Sequence, residues 1–217
     1  MSYAAARHNM VENQIRTNRV TDPAVIAAID ATPRELFVPK HLRGVAYVDE
    51  CIDLGKGRVL SEPLTFARLL QTAEVTKSDV VLDVGAGPGY SAAVLSRLAS
   101  TVVALESDAD LAEQAKSRLA ELSADNVALV SGALAEGHAA HGPYNVIVVE
   151  GAVAEIPAAL TAQLAEGGRL VAVVASETGL GRATLVTRTG GVVSSRVVFD
   201  TTLPLLPGFQ AKAAFRF

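Results

Sequence analysis

The stretch from Asp79 to Glu106 limits what this chain can fold into more than any other part of it. A short apolar run, Val80 to Val84, ends in Gly85-Ala86-Gly87-Pro88-Gly89, an amphipathic segment follows, and a second apolar run, Val102 to Leu105, stops at Glu106. Strand, glycine turn, helix, strand, acid is the order of a parallel crossover that opens on a ligand. Without Cβ atoms, Gly85, Gly87 and Gly89 let the backbone turn sharply and come close to whatever lies above it. The helix beginning near Tyr90 aims its unpaired N–H groups at the same place. Glu106 lies seventeen residues beyond Gly89, at the carboxyl end of the second strand, where a carboxylate accepts both hydroxyls of a ribose. The expectation is a nucleoside-containing ligand. The bland alternative is a tight strand-to-helix connection, which glycine turns also make.

The spacing narrows the ligand. The dinucleotide fingerprint is G-x-G-x-x-G, whereas this chain has G-x-G-x-G with an acid, Asp83, two residues before the first glycine. It departs from the pattern expected for a nicotinamide dinucleotide.

At 217 residues the chain suits one α/β domain with a sizeable core. Half of the residues are apolar and 19% are charged, as in ordinary globular proteins. A net charge of -4 provides no general field for nucleic acid, and none is expected as a partner. The lone Cys51 cannot pair within the chain, which fits a reducing compartment. The first twenty residues carry Arg7, Glu12, Arg16 and Arg19 in place of an apolar signal region, and no run of eighteen apolar residues follows. The expectation is a cytoplasmic monomer with no membrane association. His138 and His141 have a metal-like spacing but lack a third ligand, so no metal site is expected.

Taken in order, residues 4–17 predict a helix, and Asp22-Pro23 predicts the start of another over 24–31. Pro33 and Pro39 bracket P-R-E-L-F-V-P, too punctuated for long regular structure, with Leu36, Phe37 and Val38 packing inward. Residues 48–61 read as a loop, and a helix is predicted from Leu64 to about Glu74. Strands are expected over 80–84, 101–105, 127–130, 145–149 and 170–175. Helices are expected over 90–99, from an Asp108 cap to about Leu122, and near 157–164, ending at Gly167-Gly168. Two β-rich runs, 183–188 and 192–199, flank Thr189-Gly190-Gly191 and predict a hairpin. The fold class that follows is α/β: a doubly wound, mostly parallel, seven-stranded sheet with an antiparallel C-terminal hairpin. An N-terminal helical lobe (1–76) stands beside a cofactor-binding core (77–217) in one domain.

With Asp83 before Gly85 and Gly87, the turn resembles motif I of the class I S-adenosylmethionine-dependent methyltransferases, whose fold is Rossmann-like. Further segments narrow the resemblance. M-V-E-N-Q-I (10–15), V-T-D-P-A-V-I-A-A-I-D-A-T-P-R-E-L-F-V-P (20–39), Ala46-Tyr47, G-K-G-R-V-L-S-E-P (55–63) and D-V-G-A-G-P-G-Y-S-A-A-V-L (83–95) together resemble the protein-L-isoaspartate O-methyltransferases. The resemblance runs, thinning, to Gly168-Arg169-Leu170.

It implies methyl transfer from S-adenosyl-L-methionine to the free carboxylate of L-isoaspartyl residues in damaged proteins, a repair reaction. It also implies that Asp83, Gly85, Ala86, Gly87, Gly89 and Glu106 hold the cofactor, with Asp83 fixing the loop and Glu106 the ribose. Ser61 matches the family's serine that holds the substrate near the methyl group; its bland alternative is a helix cap before Pro63. An acceptor carboxylate is already ionised at neutral pH, so no general base is needed and none is found. Lys56 and Arg58 are candidates for attracting the anionic substrate, or else solvated loop charges.

The chain departs from the family at Glu62, at Glu150-Gly151, at Gly132-Ala133, where an acid facing the adenine is usual, and at Thr202 to Phe209. Each extra carboxylate at the mouth of the site would cost an anionic substrate on the order of 1 to 4 kcal/mol. A paralogue that methylates another acceptor, with Glu62 or Glu150 as base or as the recognition site for a cation, and a module that binds S-adenosylmethionine without turnover are the competing expectations.

Overall fold

The computed structural model describes residues 2–176 and 179–210. Helix α1 (Tyr3–Met10) begins where the Ser2 hydroxyl accepts the Ala5 N–H at 3.2 Å. The chain stays helical through Asn18 but changes pitch, to a π turn over Val11–Ile15 and a 3-10 turn over Arg16–Asn18. Asp22 caps α2 (Pro23–Asp30) through the Ala24 and Val25 N–H groups, with Pro23 in the first turn, where its missing N–H costs nothing. P-R-E-L-F-V-P forms one short 3-10 turn, Arg34–Phe37, and delivers Phe37 and Val38 to the core.

The region expected to be a loop, 48–61, instead contains a hairpin of β1 (Ile52–Gly55) and β2 (Arg58–Leu60). Lys56 and Gly57, at its turn, have φ of +55° and +73°, the left-handed pair whose twist suits hairpin strands. Lysine seldom adopts that conformation, so the turn did not announce itself. Helix α3 (Pro63–Ala73) follows, close to its expected span.

The main sheet contains β3 (Val80–Val84), β4 (Thr101–Glu106), β5 (Val127–Ser131), β6 (Tyr144–Val153), β7 (Leu164–Val174), β8 (Gly181–Thr189) and β9 (Val192–Thr201). Their spatial order is β5-β4-β3-β6-β7-β8-β9; all neighbours are parallel except for the antiparallel pairs β7–β8 and β8–β9. This is the expected doubly wound sheet with its C-terminal hairpin. Helices α4 (Tyr90–Ser96), α5 (Ala109–Glu121) and α6 (Ala158–Ala162) make the crossovers, joined after β5 by two short 3-10 turns. Gly167 and Gly168 lie inside β7 rather than at the end of a helix, because α6 stops early and the strand starts at Leu164.

Strand alternation separates two cores. Val81, Val102, Ala104, Val146, Val148, Val171 and Val173 face the N-terminal helices and α3 to α5. Leu82, Val84, Val103, Leu105, Ile147, Val149 and Leu170 face α6 and the C-terminal Leu206 and Phe209. Period-2 patterning of apolar residues on both faces is what a sheet covered on both sides requires. Among the described residues no helix is long and apolar enough to cross a membrane. From β3 the chain winds one way, to β4 and β5, and then returns to the other side, at β6. The crevice lies where these directions part, at the carboxyl ends of β3 and β6.

Candidate active site

The glycine turn leaves β3 at that crevice. Gly85, Gly87 and Gly89 have φ of +81°, +56° and +98°, which most side chains resist. Behind the turn, a Cβ on Gly89 would lie 3.1 Å from Ala115 Cβ, so glycine lets α4 and α5 pack closely. Asp83 is buried at the end of β3 and accepts the Ser91 hydroxyl at 2.7 Å, while its Oδ1 has no partner among the described residues. Asp83 is therefore anchored to the first turn of α4 rather than to the loop backbone. Burial pushes its carboxyl up to about 7; the Ser91 hydrogen bond opposes the shift and the Glu106 charge adds to it.

Glu106 ends β4 and faces the turn: its Oε2 accepts the Gly87 N–H at 2.7 Å. Its Oε1 accepts the N–H groups of Ser107 and Asp108 at 2.8 and 2.9 Å. The buried Arg58 guanidinium grips both oxygens, Nη1 to Oε1 at 2.6 Å and Nη2 to Oε2 at 2.9 Å, and Nη2 also donates to the Gly85 carbonyl at 2.7 Å. Burial pushes the Glu106 carboxyl up, but the Arg58 contacts and the backbone donors outweigh it and hold the group below its usual range.

Arg58 is thus neither a solvated charge nor a lure for substrate. Lys56 is exposed and pairs with Asp108 and Asp110, at 2.7 Å to each. A Cβ placed on Gly85 would sit 3.0 Å from Leu206 and 3.2 Å from Arg58 Nη2. The residue types suit an adenosine group: a carboxylate that can accept from a diol, beside a turn whose positions 85, 87 and 89 lack Cβ atoms. The space directly over it is filled by Arg58 and Leu206.

Ser61, buried, follows β2 at the start of α3. It is not the helix cap; Glu62 occupies that position and bonds no backbone N–H with its side chain. The Ser61 carbonyl accepts from Arg34 Nη2 at 2.6 Å, and Arg34 Nε donates to the Ala46 carbonyl at 2.7 Å. Arg34 is fully buried over the Tyr90 ring, 5.0 Å from its centroid. Phe37 and Phe66 pack on the same ring, each with a centroid distance of 5.5 Å.

The two extra carboxylates behave differently. The Glu62 Oε1 accepts the Thr65 hydroxyl and lies 3.4 Å from Thr201 Oγ1, so it is turned along its own helix. Glu150 sits where the pairing of β6 with β7 shifts, between Val148 and Ala152, a bulge that projects it from the ladder. Its Oε1 is sealed from solvent without a partner among the described residues. Burial first, and then the Asp83 charge, push the Glu150 carboxyl well above the ordinary range, toward the neutral form. That shift weakens the repulsion this carboxyl would offer an anionic substrate.

Past β9 the chain returns to the crevice: the Ala152 N–H donates to the Pro204 carbonyl at 2.9 Å, and the Leu206 N–H to the Ala152 carbonyl at 2.8 Å. This seats Leu206 against Gly85 and Gly151. Ala133 is exposed beyond β5, at the start of the short 3-10 turn Leu134–Glu136. His138 and His141 stack with their Nδ1 atoms 2.8 Å apart. Sequence reasoning missed Arg34 and Leu206 as parts of this site, and it offered Arg58 for the substrate rather than as the partner of Glu106. The one available signal was the acid at the end of an apolar run, which calls for a buried cation somewhere in the chain.

The family model described as protein-L-isoaspartate(D-aspartate) O-methyltransferase matches residues 5–203. A protein-L-isoaspartate O-methyltransferase of Methanoculleus marisnigri is 41% identical over 203 residues, 94% of this chain and 92% of that protein. Protein-L-isoaspartate O-methyltransferase 1 of Rhodopseudomonas palustris is 38% identical over 188 residues, covering 87% and 77% of the two chains. A solved protein-L-isoaspartate O-methyltransferase structure superposes with a TM-score of 0.81 at 26% identity, over 94% of this chain and 67% of the other. A Plasmodium falciparum structure described under the same activity, in complex with S-adenosyl-L-homocysteine, has a TM-score of 0.80 at 19% identity and covers 93% and 98%; at that identity the match speaks for the fold.

Proposed function

This chain belongs to the protein-L-isoaspartate(D-aspartate) O-methyltransferase family, whose members use S-adenosylmethionine, and on that premise we propose that it methylates the free carboxylate of L-isoaspartyl residues in damaged proteins. The observation that carries the proposal is the 41% identity to a protein of that name over nearly the whole of both chains. Asp83, Gly85, Ala86, Gly87, Gly89 and Glu106 would hold the cofactor, which supplies an electrophilic methyl group on a sulfonium. Ser61 orients the substrate carboxylate, and Arg34 fixes Ser61 through its carbonyl. The acceptor oxygen is ionised at neutral pH, so the chain has to align and desolvate it but not deprotonate it. The products are a methyl ester and S-adenosylhomocysteine, and no proton moves.

We take the protein as a cytoplasmic monomer that does not bind nucleic acid, in keeping with its net charge of -4 and single cysteine. We assign residues 1–76 to the substrate side and 77–217 to the cofactor side.

A different acceptor on the same scaffold is the second reading, favoured by the buried Oε1 of Glu150, which has no partner among the described residues. Labelled S-adenosylmethionine, offered with an isoaspartyl peptide and its normal aspartyl counterpart, separates the two. Label in the isoaspartyl peptide alone is the expected result. Cofactor binding without transfer to either peptide would move the assignment to the second reading or to a module that binds S-adenosylmethionine without turnover.

A further inference from the structure

We propose that Arg58 is a positioning residue that sets access to the cofactor: it latches the β1–β2 hairpin over the glycine turn by occupying Glu106, and must withdraw before a nucleoside can bind. This rests on the assignment of Glu106 as the ribose acid.

Residues 81–90 are all buried, although a turn poised to receive a ligand should be open to solvent. What covers it comes from elsewhere in the chain: Arg58 and Leu206 over Gly85, and Arg58 and Leu54 beside Gly87.

Lone-pair arithmetic makes the guanidinium and a ribose exclusive. A carboxylate offers about four acceptor positions. Five donors already lie within 2.9 Å of the Glu106 oxygens: Nη1 and Nη2 of Arg58 and the N–H groups of Gly87, Ser107 and Asp108. A diol brings two more O–H donors, and no lone pair remains for them. The three backbone donors are fixed by the turn and by the start of α5, so only the two from Arg58 can leave, and their withdrawal opens about one position for a ribose hydroxyl.

The hairpin is built to move at one end. Among the described residues it forms its own two-stranded sheet, paired with no strand of the main one, and an isolated pair of strands this short is marginally stable. Among the described residues its polar ties are Arg58 to Glu106 and to the Gly85 carbonyl inside and Lys56 to Asp108 and Asp110 outside. Ile52 and Leu60 anchor its base in the main core, so the motion is at its Arg58 end. The closed form therefore competes with ligand, and the apparent affinity falls by the fraction of molecules that are open.

Calorimetry with S-adenosyl-L-homocysteine on the full chain tests this with the unmodified protein, Arg58→Gln and Arg58→Lys. The latch predicts that Arg58→Gln binds at least 10-fold tighter than the unmodified protein, with Arg58→Lys between the two. Equal affinities, or weaker binding by Arg58→Gln, would overturn the latch and leave the proposed activity standing. Absence of heat in all three would instead remove the cofactor assignment, and the latch with it. Hydrogen exchange on the unmodified protein needs no variant to fold: the β2 amides should exchange faster with the ligand than without it. Unchanged or slower exchange would overturn the latch.

Discussion

Two buried acids of the site pull stability in opposite directions as pH changes. Asp83 titrates near 7 in the folded protein, raised mainly by burial, and near 4 in an unfolded chain. Between those values the native state holds a proton that the unfolded state has released, so the Asp83 contribution falls as pH rises through the window and is level above it. Glu106, held below its usual range, contributes stability that is present at neutral pH and lost as pH falls through its folded value. Asp83→Asn removes only the first effect. From pH 5 to 8 the unmodified protein should lose about 1 to 3 kcal/mol relative to Asp83→Asn, measured by thermal unfolding of both; a constant difference across the range would show that Asp83 is already ionised. Ser61 calls for a different measurement. Its contact to Arg34 runs through the carbonyl, which alanine keeps, so Ser61→Ala should change stability by no more than about 1 kcal/mol. Loss of a hydrogen bond to a charged substrate should lower kcat/KM for an isoaspartyl peptide by roughly 10- to 100-fold. An unchanged kcat/KM would take Ser61 out of the site.

The 3-10 turn Arg34–Phe37 shows how one element serves another. It was legible as an irregular segment feeding Phe37 and Val38 to the core, and both are buried. That its arginine would also be fully buried was not legible, because the carbonyls of Ala46 and Ser61 become its partners only once β2 and the turn before β1 are in place. Arg34→Met keeps much of the volume but orphans both carbonyls, and should cost about 2 to 4 kcal/mol in urea unfolding. Arg34→Lys should recover little of that, since a single ammonium nitrogen must replace Nε and Nη2, which reach the two carbonyls from separate positions. Full recovery by lysine would show that charge alone matters there. The hairpin is the complementary case. Its strands are three and four residues long, too short for a period to show, and its turn places a lysine where glycine or asparagine is usual.

Across the whole molecule, the N-terminal helices and the sheet share one core. Val25, Ile29 and Phe37 belong to the same packed cluster as Leu95, Val148 and Val173, and Arg169 of β7 reaches Asp79 before β3 at 2.7 Å. Residues 2–76 and the remainder should therefore unfold together. In urea, a probe near Tyr47 in the lobe and one near Tyr144 on β6 should give coincident midpoints with far-UV circular dichroism; separate midpoints would mean that the lobe is an independent unit.

The sequence by itself determined the crossover, the glycine turn, the acid at the end of β4 and the order of strands and helices from β3 on. These depend on neighbours within a few positions, on the alternation of side chains along a strand and on the conformational freedom of glycine. Only the tertiary structure decided what Glu106 meets. Its guanidinium partner lies 48 residues earlier in the chain, and Leu206, over the same turn, comes from beyond the last strand. A buried charge takes whichever counter-charge the topology delivers, and no local pattern along the chain encodes that delivery.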